Sequence, residues 1–186
     1  TSSLDVIGAG PLAVVLTDGS LMAQEATPAI ISGVSESDTD AVGIRATRFS
    51  FNNAELIGEA SILGLADPTR FVFGVELLQN GATLIASTLT GSATWNNAMP
   101  DNCAGVVLRG DSSAIGATLN GMGNGSCSGV LLDVLATSNC TITGDGGDVG
   151  VLATEICSGP PDSTQIDGKG ATGEQVRESL NISEGN

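Results

Sequence analysis

The sequence predicts an all-β protein, an antiparallel β-sandwich of about ten strands with jelly-roll or immunoglobulin-like Greek-key connections and a short C-terminal tail. Three observations predict it. Glycine supplies 26 of the 186 residues, roughly twice its usual share of about 7%, which indicates frequent turns. Short alternating or apolar runs are separated by turn dipeptides, as in sandwiches and barrels. Hydrophobic residues make up 41% of the chain, which is enough for a packed core.

Two predicted β-hairpins are the clearest elements. Asp18-Gly19 and Asn80-Gly81 each separate two apolar runs, and both dipeptides supply the positive φ angles of a type I′ turn. In the second hairpin, Phe71, Phe73 and Val75 alternate onto one face. The predicted hairpins join 12–17 to 20–24 and 71–79 to 82–90.

Further short runs predict the remaining strands, at 30–34, 43–51, 55–65, 105–109, 114–119, 130–136, 140–143 and 149–156. The stretch 54–66 also nearly fits a helical period. Gly58 and Gly64 would weaken a helix interior, so a strand is favoured there.

The chain predicts one domain over 1–158 and a polar tail over 159–186. The tail opens with the rigid segment Gly159-Pro160-Pro161-Asp162. A short helix is predicted after Thr172, with Val176 and Leu180 on one face. We detect no internal repeat of fixed period.

Composition excludes several classes of function. The chain carries 21 acidic and 6 basic residues, a net charge of −15, and no histidine. Histidine-based nucleophiles, imidazole bases and histidine-ligated metals are therefore excluded. Six basic residues cannot neutralise a run of phosphates, which excludes nucleic acid as a partner. No apolar run reaches the roughly 18 residues that cross a bilayer, so we expect no membrane span.

Four cysteines lie in the C-terminal half: Cys103, Cys127, Cys140 and Cys157. Their spacing matches no C-x-x-C metal motif, so we interpret them as two disulfides. Three pairings stay open, of which Cys103–Cys127 with Cys140–Cys157 closes the shortest loops. Disulfides indicate an oxidising compartment, whereas four buried thiols would indicate the cytosol.

Other features also favour export. The chain begins at Thr1 and has no basic residue before Arg45, as expected of a processed mature chain. Three N-x-S/T sequons, at Asn124, Asn139 and Asn181, are candidate glycosylation sites, although this composition produces about that number by chance. We expect an extracellular or cell-surface location.

Paired acidic residues are the only ligand-like features. Asp38 and Asp40 in one predicted loop, and Asp145 and Asp148 in another, provide the oxygen ligands that calcium prefers. Neither loop has the full pattern of a twelve-residue calcium loop. Solvated acidic turns are the alternative, because aspartate and glycine suit turn geometry. Calcium is the one cofactor we consider, and otherwise we expect none.

Catalysis is not expected. Glu55, Glu59 and Glu76 are the candidate carboxylates for a glycosidase pair, but the sequence places no two of them across a cleft. Trp95 is a candidate sugar-stacking platform, although a core position is the commoner use of an indole.

These features predict a secreted structural protein that assembles with itself into a filament, pilus-like fibre, sheath or surface layer. Leu4, Val6 and Ile7 lie in a predicted N-terminal strand that could add to a neighbouring subunit's sheet. Pairing within its own domain is the alternative for this strand. The alternative function is an adhesin-like module that binds carbohydrate or protein.

Overall fold

The computed structural model describes residues 3–8, 10–23, 27–63, 69–78, 82–96, 102–147, 149–158, 164–170 and 176–178. Apart from Asn102, which has 3₁₀ geometry, the regular elements in these ranges are β-strands. The structure is therefore nearly all β. The strands are β1 Ser3–Gly8, β2 Leu12–Met22, β3 Ala29–Ser37, β4 Ala41–Asn52, β5 Ala54–Ile62, β6 Val72–Leu78, β7 Ala82–Ile85, β8 Thr88–Trp95, β9 Cys103–Ile115, β10 Thr118–Gly125, β11 Ser128–Ser138, β12 Thr141–Gly146, β13 Val151–Ser158, β14 Gln165–Gly170 and β15 Val176–Glu178.

The strands form two sheets in which every pair is parallel. Sheet 1 has the order β1-β3-β5-β8-β10-β12-β14, and sheet 2 has the order β15-β13-β11-β9-β6-β4-β2, with β7 beside β4 and β9. The chain therefore passes from one sheet to the other and back, and each passage adds one coil. The described residues form a stack of coils, which is a parallel β-solenoid.

The predicted antiparallel sandwich is wrong. Apart from β6 and β7, consecutive strands lie in opposite sheets. Each strand pairs with the strand one coil away, as Leu56 of β5 pairs with Leu89 of β8. Alternating side chains and turn residues are common to hairpins and to solenoid coils. The pattern therefore predicts strands correctly but does not distinguish pairing within a hairpin from pairing between coils.

The first predicted hairpin is wrong because Asp18-Gly19 lies inside the unbroken strand β2. Asp18 has a φ of 51° and its neighbour in the next coil, Arg48, has a φ of 49°. Both strands bend here, and Arg48 donates hydrogen bonds of 2.5 and 2.8 Å to the two carboxylate oxygens of Asp18. These hydrogen bonds lower the pKa of Asp18. The positive φ angle thus bends a strand instead of closing a turn.

The second predicted hairpin is also wrong. The strands β6 and β7 do not pair with each other, because both pair in parallel with β4 and β9. They are successive parts of one coil. The dipeptide Asn80-Gly81 lies outside the described residues.

Both ends of the chain contribute strands. The N-terminal strand β1 pairs with β3 of the same chain, with Leu4 opposite Ile31 and Val6 opposite Gly33. In the predicted tail, β14 pairs with β12 and β15 pairs with β13. Val176 lies in β15, so a strand replaces the predicted helix there.

The core consists of side chains stacked in register between the two sheets. In sheet 1, one column of fully buried residues is Leu56, Leu89, Leu119 and Ile142. In sheet 2, the facing column is Val75, Val106, Val130 and Val151. Each such side chain contributes about 1.5–3 kcal/mol when it is buried.

Glycines bring the two sheets into direct contact along the stack. In sheet 1 they form an in-register column of Gly33, Gly58, Gly91, Gly121, Gly144 and Gly168. A Cβ atom on Gly91 would lie 1.9 Å from the carbonyl oxygen of Gly105 in sheet 2, and one on Gly58 would lie 2.0 Å from that of Gly74. We call this feature the glycine contact. The glycine contact is present at Gly33, Gly58, Gly91, Gly121 and Gly144. These glycines lie 23 to 33 residues apart in the chain, so the contact is a repeat without a fixed period.

Candidate functional site

A groove lies on the outer face of sheet 1. It has a volume of about 250 Å³ and crosses β5, β8, β10 and β12. Its floor is the backbone of Gly58, Gly91 and Gly121, the same residues that touch sheet 2 from within. Because glycine has no Cβ, the sheets approach each other here, and we infer that this approach lowers the outer surface along the same line. We call this feature the sheet 1 groove.

Two columns of side chains form the walls of the sheet 1 groove. The first column is Ile57, Thr90, Asn120 and Thr143, and the second is Glu59, Ser92, Met122 and Asp145. Met122 is 52% exposed. At the last strand of the groove, the Lys169 ammonium lies 3.2 Å from the Asp145 carboxylate. The walls therefore carry hydroxyl, amide and carboxylate groups, but most of the surface that they expose to the groove is apolar.

One disulfide joins adjacent coils. Cys103, at the start of β9, bonds Cys127, just before β11, with their Cα atoms 4.6 Å apart. Both cysteines are fully buried and pack in one cluster with Trp95. The disulfide fits an oxidising compartment. Of the two predicted disulfides, the structure contains this one.

The other two cysteines are free thiols, so the predicted second disulfide is wrong. Cys140 is buried at the corner between coils, and its Sγ lies 3.2 Å from the carbonyl oxygen of Ala114. Cys157 is half-buried on β13, and its thiol donates a 3.2 Å hydrogen bond to Glu155. That hydrogen bond, together with burial, raises the pKa of the Cys157 thiol.

The predicted calcium ligands form no cluster in the part of the chain that is described. Asp40 accepts a 3.0 Å hydrogen bond from the backbone N–H of Phe71, and the backbone carbonyl of Asp38 accepts one from Arg70. Asp145 pairs with Lys169, and Asp148 lies outside the described residues. Among the described residues, no group of three or more Cys, Asp or Glu side chains is placed to hold a metal ion.

Two of the three sequons lie in described residues. Asn124 is exposed at the end of β10, and its amide donates a 3.3 Å hydrogen bond to the hydroxyl of Thr94. Asn139 is exposed at a corner with a φ of 53°, which holds it in the left-handed region. Asn181 lies outside the described residues.

The candidate carboxylates for a glycosidase pair are not brought together. Glu55 and Glu59 lie on β5 in sheet 1, whereas Glu76 lies on β6 in sheet 2. Glu76 is only 5% exposed and accepts a hydrogen bond from Arg45. Burial raises the pKa of Glu76, while the charges of Arg45 and Arg109 act to lower it.

Trp95 is a core residue and not a sugar platform, because it is only 2% exposed. Among the described residues, no hydrogen-bond partner is found for its indole N–H. The sequence does not indicate the sheet 1 groove, although two of the candidate carboxylates, Glu59 and Asp145, line it. The signal that could have located it is a recurring aliphatic residue two positions before a glycine, as in Leu56-Ile57-Gly58 and Leu89-Thr90-Gly91.

The fold and the groove together define this chain as a two-sheet parallel β-solenoid with a grooved outer face. Comparisons with protein-family models, with curated proteins and with solved structures find no match for it. In the described residues, no helix is long and apolar enough to cross a membrane.

Proposed function

We propose that this chain is an exported, non-catalytic structural protein whose solenoid assembles end to end with further copies of itself. The observation that supports the proposal is the outer strand of the first coil, β2. It is the last strand of sheet 2 in the described residues and spans 11 residues. A long edge strand with few charges readily pairs with another chain.

Exposed apolar side chains lie along β2. Leu12 is 40% exposed, Val15 53% and Met22 62%. Two inward-facing residues of the same strand, Leu16 and Leu21, are only partly buried although they pack on the main core. A further coil stacked on this edge would cover both groups and continue the ladder of backbone hydrogen bonds.

Head-to-tail stacking is the arrangement that continues the parallel fold. The first coil of one copy would then meet the last coil of the next copy, so each copy uses two different surfaces. Contacts of this kind do not close, and they propagate a filament. An adhesin-like module that binds carbohydrate or protein is the second candidate, and the sheet 1 groove favours its carbohydrate-binding form.

A charge placed on the edge strand tests the proposal. We expect the disulfide-intact chain to form rods that sedimentation velocity and negative-stain microscopy detect as the concentration rises. Val15→Lys should shift the chain to monomers, because a charge on an edge strand opposes strand addition.

Ile115→Lys is the matched control. Ile115 is also apolar and 50% exposed, but it ends β9 in the middle of the stack. This variant should form rods as the unmodified chain does. A chain that stays monomeric at high concentration would overturn the proposal, as would equal loss of rods in both variants.

A further inference from the structure

We infer that the sheet 1 groove binds a neutral, unbranched glycan whose chain runs along the stack axis. This inference does not require the proposed self-assembly. It rests on the direction of the groove, on the chemistry of its walls and on the charge of the chain.

The groove runs across the strands and not along them. It crosses four successive strands of sheet 1, which at a strand spacing of about 4.8 Å gives a length of about 14 Å. The same kind of position recurs on each strand, so the walls present a regular row of side chains. A linear polymer with a polar group on every unit matches such a row.

The backbone under the groove is already paired within sheet 1. An extended peptide that binds a sheet uses free backbone groups at an edge, and a sheet face offers none. Recognition in this groove therefore depends on side chains, which disfavours a peptide as the occupant.

The wall groups suit a polyhydroxylated ligand. Three neighbouring polar side chains lie next to one another on one wall: Thr90, Asn120 and Thr143. A hydroxyl or an amide group can donate hydrogen bonds as well as accept them. Sugar hydroxyls have the same double capacity. On the other wall, Met122 is 52% exposed and offers an apolar surface to the C–H face of a sugar ring.

Charge selects a neutral glycan. The carboxylates of Glu59 and Asp145 stand on the second wall, and the whole chain has a net charge of −15, so uronic-acid or sulfated polymers would be repelled. A polycation is disfavoured too, because the two carboxylates lie at opposite ends of the groove and Asp145 already pairs with Lys169 at 3.2 Å.

Binding is tested with the disulfide-intact Val15→Lys chain, so that assembly and binding are measured separately. The probes are neutral β- and α-linked glucan, mannan and xylan oligosaccharides, with a uronic-acid and a sulfated oligosaccharide for comparison, first on an array and then by calorimetry. We expect at least one neutral oligosaccharide to bind and the anionic ones not to bind.

Two double variants locate the site. Thr90→Ala with Asn120→Ala removes two hydrogen-bonding groups from the wall and should weaken binding about tenfold or more, given about two- to tenfold for each lost hydrogen bond. Thr118→Ala with Thr141→Ala changes the neighbouring column on the same face, outside the groove, and should leave affinity unchanged.

Three outcomes would overturn the inference: no binding of any neutral probe at millimolar concentration, preference for an anionic probe, or equal weakening by the two double variants. Circular dichroism of each variant confirms that the fold is retained. If rods form but no glycan binds, the proposed assembly stands and this inference fails. If glycan binds but no rods form, the reverse holds.

Discussion

At the scale of single residues, the closest contacts of the fold depend on positions that tolerate no side chain. At the glycine contact, a Cβ would overlap the backbone of the facing sheet, and backbone cannot move aside as a flexible side chain can. A buried charge also affects stability. Glu76 is buried on the outer face of sheet 2, whereas most of the other acidic residues that the structure describes are at least partly exposed to water.

We predict that Gly91→Ala destabilises the fold strongly. The added Cβ would lie 1.9 Å from the carbonyl oxygen of Gly105, and overpacking of this kind costs about 1–3 kcal/mol or more. Gly10→Ala is the control, because nothing lies within 4 Å of a Cβ there. Urea unfolding measures both. Equal stability of the two variants would show that the sheets are not in contact at Gly91.

We predict that Glu76 makes the fold less stable as pH rises. Burial raises the pKa of Glu76 above its ordinary value, so the folded state holds this proton to higher pH than the unfolded state does. Its contribution is fully present below the ordinary carboxyl pKa, near 4.3, and is lost as pH rises through the raised pKa.

The measurement is the free energy of unfolding against pH for the unmodified chain and for Glu76→Gln. The variant should lack the decline that this group causes. Asp18, whose pKa is lowered by its hydrogen bonds with Arg48, contributes in the opposite direction in both proteins and cancels from the difference. A difference curve without slope across this range would contradict the prediction.

At the scale of elements, many strands were predictable and their partners were not. The predicted strand 114–119 is wrong, because it spans the corner between β9 and β10. The runs at 30–34 and 130–136 fall inside β3 and β11, because alternation follows directly from having one buried face. In the described part of the stretch 54–66, residues 54–63, the structure has the strand β5, Ala54–Ile62, in place of the helical alternative. The dipeptide Asp18-Gly19 gave a wrong hairpin prediction, because a residue with a positive φ angle is found in tight turns and also where a strand bends.

We predict that the Cys103–Cys127 disulfide, which joins adjacent coils, stabilises the fold. Replacing Cys103 and Cys127 by alanine should lower the free energy of unfolding by about 2–4 kcal/mol. It should also raise the fluorescence of Trp95, the only tryptophan, because the disulfide that packs beside it quenches the indole.

Cys157→Ser is the matched control, since Cys157 is a half-buried free thiol. It should change neither stability nor fluorescence appreciably. Titration of the native protein without reductant should find at most two thiols per chain, and a count of four would contradict the disulfide.

At the scale of the whole molecule, the repeating coil was not predictable from the sequence. The coils differ in length, so the recurring glycines lie 23 to 33 residues apart. A search of the sequence for a repeat of one fixed period therefore does not detect them. The groove was missed for a related reason. Its walls are polar outer positions on four separate strands, and only the stacking of coils aligns Thr90 with Asn120 and Ser92 with Met122.

A solenoid also differs from a sandwich in how it ends. A sandwich closes around its core, whereas each coil of a stack buries one side of its neighbour and leaves its own outer side for the next. The half-covered Leu16 and Leu21 on β2, and Ile166 on β14, show that the core reaches the end coils of the described stack. The same geometry that holds the coils together can therefore join copies.

Fibre diffraction from aligned, concentrated protein tests this account most directly. End-to-end stacks of parallel coils place every strand across the fibre axis, so the account predicts a meridional reflection at about 4.8 Å, lost in Val15→Lys and kept in Ile115→Lys. Protein that yields no fibres, or fibres whose strand-spacing reflection lies on the equator, would contradict it.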